Sequence, residues 1–416
     1  MFAAYRNAFG LFNRDVRLYL LTWALLGFAY VGIFMVLFNL YLLRLGYSPA
    51  FIGLINALAQ IATALFSLPA GGLGRRWGSR RMMIIGVIGS GLSLGLLPLA
   101  EFAPAAWQAA WLTVTYVSVW LIGALTIVNS NPFLMGVTGP EERARAFSAR
   151  EALFPLAAFA GSLAGGLLPS FFAAALDLSL TQPAPYRYAL FIAAALFAPA
   201  TLALLATGQA GAEQTQARVR EAIPLPTGLI TFMALVVLLQ VAGSSAVNIF
   251  FNVYLDDGLG VPTAWIGIVA AVGRLVAVPA ALAAPLLMSR WGIGRAIIFG
   301  IMGMALALLP LALIPHWGAA SFGFMGVIAL FAFTMPPFAI CQQEIVPPGW
   351  RATMAGAIAM TTGLSSAMVA FGGGFLITAF GYQAFFLTSA VLTAIGALLL
   401  WSFTWLPRYV ILRQAP

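Results

Sequence analysis

The sequence predicts an all-α membrane protein, twelve transmembrane helices in two pseudo-symmetric six-helix bundles, and three observations predict it. Of 416 residues, 62% are hydrophobic and only 7% are charged, with a mean hydropathy of +1.00. Soluble chains carry about 25% charged residues, so this one cannot cover a water-facing surface. Apolar runs of the roughly 20 residues needed to cross a hydrocarbon core of about 30 Å recur twelve times along it. Finally, the chain repeats itself: residues 38–78 return as residues 251–292 with one inserted residue. Phe38-Asn39 answers Phe251-Asn252, Tyr41-Leu42 answers Tyr254-Leu255, Ile52-Gly53 answers Ile266-Gly267, and Arg76-Trp77-Gly78 answers Arg290-Trp291-Gly292. Duplication of a half-molecule is a common way of building transporters.

Taken in order, the segment before residue 18 sets Phe2, Tyr5, Phe9 and Phe12 among Arg6, Arg14 and Arg17, the pattern of an amphipathic segment on a membrane surface or of a solvated tail. The first six spans fall near residues 18–43, 50–73, 82–100, 109–136, 150–173 and 187–207. The second six fall near 228–255, 264–288, 295–314, 319–343, 353–379 and 384–406. Asn129, Asn131 and the Pro336-Pro337 pair interrupt the apolar pattern of the fourth and tenth. The first run is too long for the apolar region of a signal peptide, so no cleavable leader is expected. Residues 208–227 form the longest polar stretch and are read as a cytoplasmic linker joining an amino-terminal bundle, 1–207, to a carboxy-terminal bundle, 228–416.

Charge sets the orientation. All twenty basic residues are arginine, and the net charge is +9. In a membrane protein such an excess is read by position rather than as a nucleic-acid footprint. With the amino terminus in the cytoplasm, every arginine outside the spans lies on the inner side except Arg44 and Arg187. Both termini are therefore expected inside the cell, in the inner membrane, and an even number of spans makes the two bundles parallel.

Residues 71–81, GGLGRRWGSRR, resemble the loop between helices two and three of the major facilitator superfamily. Gly71, Arg76, Gly78, Arg80 and Arg81 fit its pattern, whereas Arg75 occupies the family's acidic position. The second copy keeps Arg290 and Gly292, with Ser289 at the acidic place. The resemblance implies that this loop helps to latch the halves, so Arg75, Arg76, Gly78, Arg81 and Arg290 are expected to take part in gating; a positive-inside stop signal with a tight glycine turn explains the same residues. Pro140-Glu141-Glu142-Arg143-Ala144-Arg145-Ala146 and Pro348-Gly349-Trp350-Arg351-Ala352-Thr353-Met354 are similar to the loops following helices four and ten. Gly161-Ser162-Leu163-Ala164-Gly165-Gly166 resembles a signature of the superfamily's drug antiporters and leans toward export, although small residues at this spacing also serve close packing.

Within the spans, Arg274 stands about ten residues into the eighth helix, where a charge costs roughly 2.5–3.5 kcal/mol on insertion scales. Either it faces the cavity that the resemblance implies and attracts an anionic or carbonyl-rich group, or backbone carbonyls and amides hold it for packing. Its repeat mate is Gln60. Asn56, Gln240, Asn248 and Tyr30 are further candidates for substrate binding, and Trp23, Trp111, Tyr116 and Trp120 for aromatic walls. Asn39 and Asn252, repeat mates near the outer ends, are read as structural. Proton-coupled carriers usually place a carboxylate in the membrane. Here only Glu344 and Asp256 are placed to act in coupling. No phosphate loop, metal cluster or activated nucleophile appears, so neither an ATP-driven pump nor an intramembrane enzyme is expected, and no cofactor is. The expected function is secondary active transport of a small amphipathic or lipophilic solute, anionic where Arg274 engages it, by a monomer in a lipid bilayer. The alternatives are a facilitator or uptake carrier without proton coupling, and a non-transporting lipid-handling or assembly factor.

Overall fold

The computed structural model describes residues 12–208, 227–346 and 351–403. The amphipathic segment ahead of residue 12 and nearly all of the 208–227 linker lie outside the described residues. The described residues are helical almost throughout. α1 spans Arg14–Arg44, α2 Pro49–Trp77, α3 Ser79–Phe102, α4 Ala105–Val137, α5 Pro140–Ala175 and α6 Ala184–Leu205. α7 spans Thr227–Gly258, α8 Thr263–Trp291, α9 Ile293–Leu313 and α10 Trp317–Glu344. The final helical stretch, Arg351–Phe403, contains one residue with non-helical backbone, Gly381 at φ +81°. Its apolar part runs for 47 residues, about 70 Å at 1.5 Å per residue, more than twice the hydrocarbon thickness. Gly381 therefore divides it into α11 and α12, giving the twelve spans the hydropathy pattern predicts.

The turns between helices follow from the sequence. Pro49 and Pro140 open α2 and α5, where a missing N–H costs nothing because the first turn leaves that donor unpaired in any case. Gly78 and Gly292, the repeated glycines of the two arginine-rich loops, have φ of +88° and +81° with extended ψ, a region that is essentially glycine-only. Each lets one helix end and the next begin with a single residue between.

The polar interruptions expected in α4 and α10 do not break either helix; α4 carries Pro132 and α10 carries Pro336 and Pro337 in its interior. Side chains satisfy nearby backbone carbonyls. Asn129 donates to the Leu125 and Ala70 carbonyls at 2.9 and 3.2 Å, and Thr334 donates to the Leu330 carbonyl at 2.6 Å.

The chain folds into two compact units. Unit 1 comprises Met1–Leu45, Ala62–Gln216 and Thr263–Ala271; unit 2 comprises Gly46–Ile61, Ala217–Pro262 and Val272–Pro416. Thus the first part of α2 belongs to the unit built on α7–α12, and the first part of α8 belongs to the unit built on α1–α6.

Packing inside each unit extends the internal repeat beyond the stretch visible in the sequence. In unit 1 Phe38 stacks on Tyr116 of α4 at 4.1 Å and 9°; in unit 2 its mate Phe251 stacks on Phe324 of α10 at 4.0 Å and 9°. Gly86 of α3 lies against Thr126 of α4, as Gly300 of α9 lies against Thr334 of α10. A third correspondence joins the swapped segments. In unit 1 a Cβ on Gly267 of α8 would lie 2.5 Å from the Gly166 Cα and 2.7 Å from the Ser162 carbonyl oxygen of α5. In unit 2, Gly53 of α2 abuts the Ala370 carbonyl, and a Cβ on Gly374 of α11 would lie 3.2 Å from the Gly53 Cα and 2.7 Å from the Pro49 carbonyl oxygen. Gly53 and Gly267 are repeat mates, so both copies bring a helix beginning into backbone contact with a neighbour through glycine. Without such small residues helix axes cannot approach this closely.

Candidate functional site

In unit 2, Arg274 is partly buried on α8, and its Nε is buried with no acceptor among the described residues. It forms no ion pair with a described side chain. Gln60, also on the part of its helix that belongs to unit 2, is partly buried too. Both keep hydrogen-bonding capacity that their own surroundings do not use, which is unusual for polar groups in an apolar interior. The other candidates differ. Asn56 is buried and donates to the Ile52 carbonyl one turn back at 2.8 Å; Asn248 is exposed and donates to the Ser244 carbonyl at 2.8 Å. Gln240 is buried with its Oε1 lacking a donor among the described residues.

Unit 1 holds an aromatic and cationic cluster that the sequence reading did not assemble. Between Gly27 and Phe34, α1 is a π-helix, and the Met35 amide donates to the Tyr30 carbonyl five residues back. The bulge sits where α1 touches α5 backbone to backbone: Gly32 abuts Gly161, and a Cβ on Gly165 would lie 3.1 Å from the Gly32 carbonyl oxygen. The glycines that resemble an antiporter signature thus serve close packing. Before the bulge, Trp23 meets Phe154 edge-on at 5.4 Å; within it, Tyr30 meets Trp120 edge-on at 5.8 Å and stacks on Phe34 at 5.4 Å.

Arg150 completes this cluster. The charge pattern assigns it to the inner loops, but its side chain is only 14% exposed and turns into unit 1. It donates to the Tyr19 hydroxyl at 3.1 Å and to Asn131 Oδ1 at 2.6 Å, and its guanidinium lies 5.6 Å from the Trp23 ring centre. Its carboxylate partner, Glu151, is 71% exposed and 2.7 Å away. Arg150 stands in the interior part of a 36-residue helix, longer than a bilayer requires. The apolar pattern begins only at residue 150 and so does not show that the helix starts at Pro140.

The two arginines that break the inner-side rule have dedicated partners in unit 1. Arg187 pairs with Glu101 at 2.6 Å, with side chains 14% and 13% exposed, and Tyr41 donates to the same carboxylate at 3.0 Å. Arg44 donates to the Leu180 carbonyl at 2.9 Å and to the Tyr186 hydroxyl at 3.2 Å, and that hydroxyl shares a hydrogen bond of 2.8 Å with Thr263 at the start of α8.

Of the residues expected in gating or coupling, Arg76, Arg81 and Arg290 are exposed, and Arg76 lies 5.9 Å from the Trp77 ring centre. The side chain of Arg75 lies outside those described. Glu344 is exposed at the end of α10. Asp256 lies in the π-helical turn Tyr254–Gly258, beside Asp257, which accepts from the Tyr382 hydroxyl at 2.7 Å. Among the described residues no group of three or more His, Cys, Asp or Glu side chains is placed to hold a metal ion.

A family model described as Major Facilitator Superfamily matches residues 18–370. The chain belongs to the Major Facilitator Superfamily. No curated protein matches. Among solved structures, a point mutant of the nucleoside transporter NupG superposes with a TM-score of 0.75 at 16% identity, covering 94% of this chain and 99% of that one. A D-xylose-proton symporter gives 0.72 at 17%, covering 94% and 97%. A bacterial homologue of the human lysosomal transporter Spinster, inward-facing and occupied, gives 0.69 at 16%, covering 94% and 96%. At such identities the likeness shows the fold. Together with the superfamily match it makes the chain a transporter of this superfamily and not an enzyme, a multi-pass membrane protein whose helices carry a duplicated architecture.

Within the superfamily's architecture, the two glycines at positive φ account for the glycine of the loop that carried the resemblance. Their backbone admits no other residue without strain, whereas the flanking arginines Arg76 and Arg290 are exposed.

Proposed function

We propose that this superfamily member moves a small amphipathic or lipophilic solute, with an anionic or carbonyl group that Arg274 engages, by alternating access. The observation that carries this reading is the buried, unbonded Nε of Arg274 in the first half of α8. An arginine in that position is costly without a partner, and a solute carrying negative charge or carbonyl oxygens supplies one for as long as it is bound. Gln60, at the mated position of α2, adds a neutral donor and acceptor. The sparse polarity of the remaining spans favours a substrate that is largely apolar.

The glycine contacts Gly53–Gly374 and Gly166–Gly267 supply the conformational element. We take them to be made in one state and released in the other, since backbone packed on glycine parts without unsatisfied side-chain bonds. Export is the direction favoured by the resemblance of residues 161–166 to the antiporter signature. Both termini lie in the cytoplasm and the membrane is the inner one, as the arginine distribution supports; the protein acts as a monomer of two six-helix bundles, 1–207 and 228–416.

For coupling, the described mid-span residues offer arginines and amides rather than carboxylates, which favours a carrier that follows its substrate gradient over one driven by protons. The test is flux through proteoliposomes. Arg274→Ala and Gln60→Ala should each lower flux without unfolding the protein; unchanged uptake and efflux of every transported compound in both variants refutes the site. An imposed pH gradient should not alter flux, and a clear response to it would restore Glu344 or Asp256 as coupling groups. Copurifying lipid or protein together with absence of any flux would favour the assembly-factor reading instead.

A further inference from the structure

Arg44, one of the two arginines placed against the inner-side rule, is spent on a tyrosine of unit 1. Its Nη2 donates to the Tyr186 hydroxyl at 3.2 Å, and its guanidinium lies 5.2 Å from the centre of the same ring. Tyr186 is fully buried on the first turn of α6, and its hydroxyl lies 2.8 Å from Oγ1 of Thr263, the buried first residue of α8. An arginine can only donate, so Arg44 engages the phenol oxygen and leaves the phenol proton for Thr263. One turn further along α8, Gly267 meets the backbone of Ser162 and Gly166. Thr263, Gly267 and Arg274 stand at i, i+4 and i+11, spacings that share one face of a helix. The first turn of that face is closed by a hydrogen bond and by backbone contact, and Arg274 lies about 16 Å farther along it.

The second copy is built without this bond. Pro49, the first residue of α2, answers Thr263 and has neither hydroxyl nor N–H to offer. Tyr382 opens α12 as Tyr186 opens α6, and each is followed three residues on by a buried pair, Phe385-Phe386 and Ala189-Leu190. Counting on from the Tyr41–Tyr254 pair, Arg44 answers Asp257, and the Tyr382 hydroxyl donates to Asp257 at 2.7 Å. The mated tyrosine is thus bonded within unit 2 to a residue of opposite charge. The Gly53–Gly374 contact has no counterpart of the Tyr186–Thr263 bond among the described residues, so the fold does not require one.

We propose that Tyr186 and Thr263, with Arg44 behind them, form a polar latch on α8: positioning residues that hold the Gly166–Gly267 contact shut and set the cost of opening the helix face that leads to Arg274. Backbone packed on glycine parts without unsatisfied side-chain bonds, whereas the hydroxyl pair has to be broken, and a buried bond left unmade is costly. The two glycine contacts are then unequal, the one at α8 held and the one at α2 without such a hold. The inference deepens the alternating-access reading and rests on it, since a latch has meaning only at a contact that opens and closes.

The reporter is Ala270→Cys in a Cys341→Ala background. Ala270 is 6% exposed and stands on the same face between Gly267 and Arg274, so its labelling by a hydrophilic maleimide, with the full-length protein in nanodiscs, reads the opening of that face. Tyr186→Phe and Thr263→Val should each accelerate labelling by about fivefold, the worth of one hydrogen bond. Thr263→Ser keeps the hydroxyl and should label as the parent does. The two residues share one bond, so the double variant should be about as fast as either single one. Tyr382→Phe, the mated substitution in unit 2, should leave labelling unchanged. Unchanged labelling in folded Tyr186→Phe and Thr263→Val overturns the latch; so does equal acceleration by Thr263→Ser or Tyr382→Phe, or a double variant as fast as the product of the two. Melting curves of each variant separate opening from misfolding. Solute counterflow in proteoliposomes is read separately: flux with unchanged labelling removes the latch alone, and latch-dependent labelling without flux of any solute removes the transporter reading.

Discussion

Substituting Gly53 by alanine should shift the protein away from the conformation described here. A methyl at Gly53 meets the Ala370 carbonyl of α11 and would lie 3.1 Å from the Gly374 Cα. Both are backbone, so no side-chain rotation relieves the clash and the helices must separate. Overpacking of this kind costs about 1–3 kcal/mol, which is about a 5- to 150-fold change in a two-state equilibrium. The cost falls only on the state in which the contact is made, so the other state gains population by that factor. Gly374→Ala acts on the same contact, with a Cβ 2.7 Å from the Pro49 carbonyl oxygen. Residues sharing one contact do not add independently, so the double variant should fall short of the product of the two. The assay uses the single cysteine, Cys341, which is buried. In a Cys341→Ala background, Gln60→Cys is labelled with a membrane-impermeant maleimide from the face on which α2 begins. Labelling should accelerate severalfold in Gly53→Ala and in Gly374→Ala. Unchanged labelling in variants that melt normally would show that the helices adapt without parting, and the gating role of the glycines would fall.

Two further outcomes concern stability. Gly78→Ala and Gly292→Ala place a Cβ on backbone at φ of +88° and +81°. Each should cost about 1–3 kcal/mol, seen as a lower melting temperature in detergent, whereas Arg76→Ala beside the first of them should change it little. Glu101→Gln leaves the Arg187 guanidinium without its carboxylate at a site where the two side chains are 14% and 13% exposed. Breaking a buried pair from one side costs about 3–5 kcal/mol, so this variant should melt well below the parent. Replacing both residues, as Glu101→Gln with Arg187→Met, should recover part of the loss.

The repeat carried most of the fold in the sequence. Phe38, Tyr41, Gly53 and Gly78 recur with their spacing nearly intact, and the mates of Phe38 and Gly53 take up the same kinds of contact. What the sequence could not show is which neighbour each repeated glycine meets. Gly53 and Gly267 are legible as a pair, but their partners Gly374 and Gly166 lie more than a hundred residues away from them along the chain and share no local pattern with them. The spans read near 109–136 and 319–343 are continuous helices despite Asn129, Asn131 and the Pro336-Pro337 pair.

The site was legible where a residue violated its surroundings. Arg274 is costly at its depth whatever the fold, so hydropathy alone singles it out. Arg150 violates nothing in sequence, because it follows a basic loop and reads as its continuation; only the length of α5 turns it inward. Trp23 and Trp120 are ordinary apolar residues in the sequence, and no spacing shows that Trp23 meets Phe154 or that Trp120 meets Tyr30.

The central claim, that Arg274 is held in the membrane to receive an acidic or carbonyl group of the solute, is tested most directly by a ligand-dependent melting screen. Purified parent and Arg274→Gln proteins are compared against lipophilic carboxylates and the methyl ether analogues that lack both charge and carbonyl. The parent should be stabilised by at least one carboxylate and not by its ether, and Arg274→Gln should lose that difference. Equal stabilisation of the two proteins by the same carboxylate would contradict the account.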